Sequence, residues 1–433
     1  MFAVGEPWHG LQGRAVAGRL YVMAVVRSLI GAGVALVVAV SVRITPLAQP
    51  AATADSCNQP LQEATEFLPV AGNPFVAIPT QDGCWVFVSE DSPTPGARGV
   101  VVFQRSAGTM HIVRTLELPI NPYSMALSHD GHLLVVTAGP GVVFLDVERL
   151  KSRNAPPIVG TIADAGQAGA IEVALTADDH YLFTSFERSA TIGIIDLARA
   201  QREKFTRDAI VGYIPVGNAP VGLAVSGDGA HLFAVSELAP AGAQWPLACH
   251  PERQGAQAPP GNTGGALYSI DLARATHDPA HSIIATTPAG CNPVRVEVSP
   301  DGEIAYVTAR GDNAVLVFET RKLLSADAGS ARVGQVEVGT APVGMAFIDH
   351  GHRLVVANSN RFQGPAGSPQ SLTVIDTARL SEGAAAVVGA IPAGLFPREL
   401  HVSADGATLF VANYSSQALE VVDLARVLGR NAK

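Results

Sequence analysis

The sequence predicts an all-β protein, a seven-bladed β-propeller of four-stranded antiparallel blades. Three observations predict this fold: a turn dipeptide that recurs at a nearly constant spacing, four short apolar runs within each spacing, and a composition rich in turn-forming residues. The 433 residues include 43 Gly and 30 Pro; 48% are hydrophobic and only 15% are charged. This composition is typical of a well-packed protein with many strands and turns.

The turn dipeptide is Asp-Gly or a close variant of it, and an apolar run follows it each time. The seven occurrences are Asp82-Gly83, Asp130-Gly131, Asp179-His180, Asp228-Gly229, Asp301-Gly302, His350-Gly351 and Asp405-Gly406. Their separations are 48, 49, 49, 73, 49 and 55 residues, which describes one period with two insertions. A repeat of this length that contains several short strands predicts propeller blades.

Each repeat contains four predicted strands. The stretch "VSPDGEIAYVTARGDNAVLVFE", which starts at Val298, shows the end of strand A, the Asp-Gly turn, strand B, a polar break and strand C. A fourth strand, D, leads into the next repeat. Asp-Gly suits the A–B turn because Gly accepts positive φ and an Asp side chain bonds nearby backbone amides.

The last repeat ends without a strand D, whereas the segment "ATEFLPVAGNP" from Ala64 has the strand D pattern and precedes the first repeat. We therefore predict that this N-terminal strand completes the C-terminal blade and closes the ring, which removes free sheet edges. On this interpretation residues 55–433 form a single domain.

The first 54 residues have the order of an export signal. Arginines precede an uninterrupted apolar run over residues 28–42, and small residues follow shortly before Asp55. The run is shorter than the ~20 residues that span a bilayer comfortably, so we predict a cleaved signal and an extracytoplasmic mature protein. A retained anchor is the alternative, and both Met1 and Met23 remain open as the start.

The four cysteines pair by topology. B–C and D–A connections lie on one face of the ring, called the top face, and A–B and C–D connections lie on the bottom face. Cys249 and Cys291 are both predicted on the top face, and Cys57 and Cys84 both on the bottom face. The favoured disulfides are therefore Cys57–Cys84 and Cys249–Cys291, which export permits, with four buried thiols as the alternative.

Strand A, the innermost strand, carries the residues that differ most between repeats. Two residues after the Pro position the repeats carry Val76, Ser124, Glu172, Gly222, Arg295, Gly344 and Glu399; two further on they carry Ile78, Ala126, Ala174, Ala224, Glu297, Ala346 and His401. Strand periodicity places both positions on the side that faces the central channel, and the alternate positions in the core.

These side chains predict a polar site in the channel, near the top face. Arg295 is a candidate clamp for a carboxylate or carbonyl, Glu399 or Glu172 a candidate general base, and His401 a candidate proton shuttle. Glu297 and Ser124 are candidate binding residues. The structural alternative is that Arg295 pairs with Glu172 or Glu399 and holds the ring together.

Two insertions supply a second candidate region on the top face. The blade four insertion contains Trp245 and His250, and the blade six insertion contains Arg361 and Phe362. Both are B–C loops, so they are candidates for a rim or lid over the channel. Loop growth without function is the alternative.

The repeats resemble a known family. "FVANYSSQALEVVDLA" and "VVANSNRFQGPAGSPQSLTVIDTA", together with the stretch at Val298, resemble the YVTN family of β-propeller repeats, and the array is similar to seven-bladed lactonase-like propellers. The resemblance extends from Ala64 to about Val427. It implies the fold; such repeats occur in surface-binding proteins, lactone hydrolases and parts of redox enzymes, so it implies no single reaction.

Missing motifs and charge narrow the function. The sequence has no Cys-x-x-Cys-His, no zinc-spaced Cys/His cluster, no phosphate loop and no Gly-x-Ser-x-Gly, so no cofactor and no metal are predicted. The net charge of -9 argues against nucleic acid as a partner. We predict a monomeric binding protein for a protein, glycan or small molecule that uses its top face and channel. One alternative is a lactonase-like hydrolase that uses the channel charges. A redox accessory role, with a coloured cofactor or a haem-protein partner, is the other.

Overall fold

The computed structural model describes Cys57, residues 59–243, Trp245, Cys249, residues 264–361 and residues 370–430. Within these residues, seven four-stranded antiparallel sheets form a ring in which each innermost strand contacts the innermost strands of the neighbouring blades. The predicted seven-bladed propeller is therefore confirmed. The predicted export segment, residues 1–54, lies outside the described residues.

The strands follow one another along the chain with the same order in each blade. The first strand is β1 (Thr65–Pro69). Blade one consists of β2 (Asn73–Pro79), β3 (Trp85–Asp91), β4 (Gly99–Ser106) and β5 (Thr109–Glu117). Blade two consists of β6 (Pro122–Leu127), β7 (Leu133–Ala138), β8 (Gly141–Asp146) and β9 (Ile158–Ala163). Blade three consists of β10 (Ala170–Leu175), β11 (Tyr181–Phe186), β12 (Thr191–Asp196) and β13 (Ile210–Pro215). Blade four consists of β14 (Pro220–Val225), β15 (His231–Ser236), β16 (Ala266–Asp271) and β17 (Ile283–Pro288). Blade five consists of β18 (Pro293–Val298), β19 (Ile304–Ala309), β20 (Ala314–Glu319) and β21 (Arg332–Glu337). Blade six consists of β22 (Pro342–Ile348), β23 (Arg353–Asn358), β24 (Gln370–Asp376) and β25 (Val387–Ala393), and β26 (Pro397–Val402), β27 (Thr408–Asn413) and β28 (Ala418–Asp423) follow.

Blade seven combines both ends of the described chain. Its strand order is β1-β28-β27-β26, and β1 pairs antiparallel with β28 from Thr65 opposite Val422 to Pro69 opposite Ala418. A strand near the N-terminus thus provides the outer strand of the blade whose other strands are C-terminal. Leu61, just before β1, is buried in a cluster that blades one and seven share.

Short helices follow strand C on the bottom face. They are α1 (Val147–Lys151), α2 (Leu197–Arg202), α3 (Leu272–Ala275), α4 (Thr320–Leu323) and α5 (Leu424–Arg430). Shorter 3-10 segments lie at Arg207–Ala209, Pro279–His281, Arg310–Asp312, Ala328–Ser330, Asp349–Gly351 and, with interruptions, Thr377–Ala386. The acidic residue that ends strand C caps several of these helices; the Asp271 carboxylate, for example, accepts a hydrogen bond from the Arg274 amide at 2.9 Å. No helix in the described ranges is long and apolar enough to cross a membrane.

The A–B turns are held by the side chain of their Asp. In blade five the Asp301 carboxylate accepts hydrogen bonds from the Ser299 hydroxyl at 2.5 Å and from the Glu303 amide at 3.0 Å. In blade three the equivalent Asp is Asp178, and Asp179 takes the glycine position with a φ of 54°. The sequence prediction placed this turn one residue too late, because Asp occurs at both positions and either matches the pattern.

Both predicted disulfides are present. Cys57 is bonded to Cys84 and ties the segment before β1 to the A–B turn of blade one. Cys249 is bonded to Cys291 and ties the blade four insertion to the connection that enters blade five.

Every strand A contains a β-bulge just after its Pro position. In blade five Pro293 lies opposite Ala309, but Arg295 lies opposite Thr308, so Val294 is an additional residue in the strand. The same shift of one residue occurs in the other six blades. A bulge changes the direction of a side chain and interrupts the simple alternation of strand faces. This local feature determines what the inner strands place around the channel.

Candidate functional site

The residues directly after the Pro positions form an apolar ring at the top end of the channel. Five of them belong to one buried cluster and come from five different blades: Phe75, Ile171, Val221, Val294 and Val343. Tyr123 packs against this cluster from blade two, and Arg398 completes the set from blade seven. We call this set the upper ring. These first alternate positions of strand A are buried in five of the seven blades, and they lie at the top end of the channel.

Below the upper ring, Arg295 forms a buried charge cluster with two glutamates. Its guanidinium is 3.2 Å from Glu172 Oε2 and donates a hydrogen bond to Glu399, and all three side chains are at most 14% exposed. The other terminal nitrogen donates to the backbone carbonyls of Val221 and Val294, at 2.7 Å each. The Ser124 hydroxyl donates to Glu172. Arg295 thus joins strands from blades three, four, five and seven.

Two glycines make room for this cluster. A Cβ on Gly222 would lie 2.9 Å from the Arg295 Cα, and a Cβ on Gly344 would lie 2.4 Å from the Arg398 carbonyl oxygen and 3.0 Å from Glu399 Oε2. Contacts this short force a shift of the backbone. Glycine is therefore needed at these two positions to leave room for the buried ion pairs next to them. The repeats show both glycines in the sequence, but only the structure gives the reason for them.

The channel below the cluster is a cavity of about 590 Å³. Its walls begin at Glu172, Arg295 and Glu399 and extend to Thr80 and His129 in the A–B turns. In the described part of the chain, no residue of a B–C or D–A connection lines it. The cavity is therefore closed at the upper ring and extends to the bottom face. The sequence predicted a polar site in the channel near the top face. The charged residues do lie near the top of the channel, but the cavity opens to the bottom face.

Glu297 and His401 line this cavity one level below the charge cluster, nearer to the bottom face. Burial raises the pKa of Glu297 to about 8, with a further contribution from the Glu399 and Glu172 carboxylates. Burial also lowers the pKa of His401, so its imidazole is neutral at pH 7, and its Nδ1 is buried without a hydrogen-bond partner among the described residues. The cavity thus holds a carboxyl group poised near neutral pH and a neutral imidazole.

The two buried partners of Glu172 do not fully compensate for the effect of burial on its charged form. Burial raises the pKa of this carboxyl, although Arg295 and the Ser124 hydroxyl both favour its charged form. In Arg295, the two glutamates more than compensate for burial and raise the pKa. Both terminal nitrogens of this guanidinium already have protein partners, which is typical of a structural cation, so the expected role of Arg295 as a clamp for a ligand does not fit these contacts.

The structure describes two of the four predicted rim residues, Trp245 and Arg361. Trp245 is half-buried and packs against the apolar cluster of blades three and four. The Arg361 guanidinium lies 5.5 Å from the centre of the Phe396 ring. His250 and Phe362 lie outside the described residues. The structure therefore brings Ser124, Glu172, Arg295 and Glu399 together, places Glu297 and His401 on the same cavity, and does not join Trp245 or Arg361 to it.

Sequence reasoning missed Arg398. Its guanidinium carbon lies 3.7 Å from the centre of the Phe75 ring, and burial together with nearby Arg295 lowers its pKa to about 10. It pairs with no carboxylate among the described residues. The available signal was a cation at a position where the other six repeats carry an apolar residue. Arg398 belongs to the upper ring, above the charge cluster, and does not line the cavity.

A second pocket, of about 470 Å³, lies on the top face between blades one, two and three. It is lined by Arg98, Asn121, Tyr123 and Arg188. Arg98 donates from Nε to the Leu118 carbonyl at 3.1 Å. Within the described residues, no group of three His, Cys, Asp or Glu side chains has a geometry that would hold a metal ion.

The fold and the cavity define a class of protein: a seven-bladed β-propeller with a charged central cavity that is closed at one end. No family model matches the chain, the YVTN family included, and no curated protein matches it. Solved structures do match. A chain of hydrazine synthase from Kuenenia stuttgartiensis shares 18% identity with a TM-score of 0.59, over 82% of this chain and 96% of that one.

Two lactonase-like structures match at a similar level. A proposed 6-phosphogluconolactonase from Bacteroides uniformis shares 14% identity with a TM-score of 0.56, over 78% of this chain and 91% of that one. A second, from Bacteroides fragilis, shares 13% identity with a TM-score of 0.57, over 78% and 90%. At these identities the likeness establishes the fold alone.

Proposed function

We propose that this protein is an extracytoplasmic propeller that binds a small molecule in the central cavity, with entry from the bottom face. The observation that carries the proposal is the cavity itself. Its volume of about 590 Å³ lies within the usual ~300–1,000 Å³ of ligand sites. Its walls combine apolar side chains, Leu127 and Phe347 among them, with polar and charged groups that converge toward the closed end.

The two disulfides support the extracytoplasmic part of the proposal. Cys57–Cys84 and Cys249–Cys291 account for all four cysteines of the chain. Structural disulfides persist in oxidising compartments and are rare in the cytosol. The export pattern of residues 1–54 agrees with this location.

A substitution that fills the cavity tests the binding function. In Ala346→Trp, an indole would occupy the space where Ala346 now lines the wall. We expect a thermal-shift screen of the purified protein to find small molecules that stabilise the parent but not this variant. At a ligand concentration of about 100 times Kd the stabilisation is about 2.7 kcal/mol.

Ala230→Trp is the matched control, because Ala230 is exposed on the A–B turn of blade four and does not line the cavity. It should respond to the same ligands as the parent. Ligands that stabilise all three proteins equally would show that the cavity is not the binding site.

The second candidate function is a lactonase-like hydrolase, and Glu297 is the observation that favours it. A carboxyl with a pKa of about 8 is matched to general-base work near neutral pH. The Glu297 carboxylate would take a proton from water as the water oxygen bonds to the lactone carbonyl carbon. It would then return that proton to the ring oxygen as the acyl C–O bond breaks. The two lactonase-like structural neighbours agree with this reaction class.

Measuring acid release from sugar and acyl lactones in a pH-stat tests the hydrolase. Turnover should rise with pH up to about 8, since only ionised Glu297 acts as a base. Glu297→Gln should abolish it, whereas Glu303→Gln, an exposed glutamate of the same blade, should not. Equal turnover in parent and Glu297→Gln would eliminate this mechanism.

A further inference from the structure

We infer that the ligand of the central cavity is a small organic cation, with an amine, amidine or guanidine group, and that phosphorylated or carboxylated anions are excluded. The inference rests on the proposed function of the cavity as a binding site and names the chemistry of its ligand. Its basis is the set of charged groups around the cavity and the contacts that these groups already make.

The cavity has an excess of acidic groups. Among the described residues, three carboxyl groups line it, from Glu172, Glu297 and Glu399, together with one arginine and no lysine. Two histidines complete the ionisable set. His129, at the mouth, already contacts the Asp179 carboxylate at 2.7 Å, and His401 is neutral at pH 7.

Both terminal nitrogens of Arg295, the one arginine among the described lining residues, are already committed to the protein. One terminal nitrogen of Arg295 donates to two backbone carbonyls, and the other contacts Glu172 and Glu399. An anion that recruited this guanidinium would have to displace a buried carboxylate and leave it without a counter-charge, which is strongly unfavourable. Arg398, the other buried arginine nearby, is not part of the cavity wall.

Glu297 is the acidic group that remains available. Its side chain lines the cavity and accepts no hydrogen bond from the described residues. A ligand cation would supply the counter-charge that the protein withholds, and a planar guanidinium pairs with a carboxylate through two parallel hydrogen bonds. The protein therefore presents an unmatched acceptor next to the charge cluster, inside a ligand-sized cavity.

The groups that surround Glu297 set the pH dependence of binding. Glu172 reaches it from β10, Arg295 lies on its own strand, and β26 contributes Glu399 and His401. Tyr306 lies opposite Glu297 in β19, with a pKa raised by burial to about 12, so it is neutral. β14 and β22 contribute only apolar side chains to the cavity wall.

Binding of a cation favours the ionised form of Glu297, so it releases a proton wherever this carboxyl is protonated in the free protein. With a pKa of about 8, the affinity for a permanently charged cation should increase roughly tenfold per pH unit up to pH 8 and then level off. A neutral ligand of the same shape should show no such trend.

Isothermal titration calorimetry with three matched probes tests the inference on the purified protein. The probes are butylguanidinium, the near-isosteric neutral butylurea, and the anion butanoate, each at pH 6 and pH 9. We expect butylguanidinium to bind at least tenfold more tightly than butylurea at pH 9, and to weaken roughly a hundredfold at pH 6. Butanoate should not bind.

Two variants locate the effect. Glu297→Gln should remove both the advantage of the cation and its pH dependence, whereas Glu303→Gln should retain both. A cation affinity that is equal at pH 6 and pH 9 in the parent would overturn the inference, as would binding of none of the probes. Butylurea or butanoate that bound more tightly than the cation, and lost binding in Ala346→Trp, would overturn the charge preference but leave the proposed binding function intact.

Discussion

Replacing Arg295 by methionine should strongly destabilise the ring. The substitution keeps an unbranched side chain of similar length but removes the cation that Glu172 and Glu399 share, and both carboxyl groups are nearly inaccessible to water. It also removes the donor to the carbonyls of Val221 and Val294. Breaking a buried ion pair from one side costs about 3–5 kcal/mol, because the remaining charge stays buried without a partner.

The loss should depend on pH and on the partner residues. Without the guanidinium, the pKa of Glu172, already raised by burial, increases further, so protonation at low pH removes its buried charge. The difference in unfolding free energy between parent and Arg295→Met should therefore be smaller at pH 5 than at pH 8. Adding Glu172→Gln and Glu399→Gln should restore at least half of the loss, since a neutral amide still accepts the Ser124 hydrogen bond.

Urea unfolding followed by circular dichroism measures these differences directly. Three proteins are compared at two pH values: the parent, Arg295→Met, and the triple variant with Glu172→Gln and Glu399→Gln. A loss below about 1 kcal/mol in Arg295→Met would mean that the ion pairs are solvated and contribute little. A loss of the same size at pH 5 and pH 8 would contradict the argument from uncompensated charge.

Three further predictions concern the ring and its acidic cavity. Replacing Cys57 and Cys84 by serine should lower the free energy of unfolding by about 2–5 kcal/mol; an unchanged melting temperature would show that this disulfide does not stabilise the protein. Deleting residues 55–70 should lower the free energy of unfolding by at least about 3 kcal/mol more than that double variant, because β28 then has a free edge and the buried Leu61 is lost. Equal stability of the two proteins would mean that β1 is dispensable. Glu297→Gln should flatten the pH dependence of stability: folded Glu297 holds its proton to about pH 8 and unfolded Glu297 only to about 4.5, so the parent loses stability as pH rises between these values. The variant should gain up to about 5 kcal/mol relative to the parent at pH 9, and parallel stability curves would contradict the raised pKa.

The candidate site was predictable in its residues but not in its contacts. The repeat itself identified Arg295, Glu297, Glu399 and His401, because each differs from its equivalents in other blades. It did not show that Arg295 and Glu399, which are 104 residues apart, meet in the buried cluster. The position of a residue within strand A determines how far along the channel its side chain lies. Which side chains form ion pairs depends on how blades five and seven are arranged in the ring.

Arg398 and the closed top end were not predictable for a local reason. Simple alternation assigns the residue after the Pro position to the core between blades. The bulge in every strand A changes the direction of that side chain, so Phe75 and Val294 contribute to the upper ring instead. A bulge leaves no clear mark in the sequence, since no glycine is required at these positions.

The sequence by itself determined the number of blades, the order of their strands and both disulfides, because these depend on periodicity and on which face each connection occupies. Only the tertiary structure decided that the cavity extends to the bottom face, that Arg295 is committed to Glu172 and Glu399, and that Glu297 remains unmatched. The physical reason is that burial and charge pairing arise between side chains from different blades. Their separation is fixed when the ring closes, and no local pattern along the chain records it.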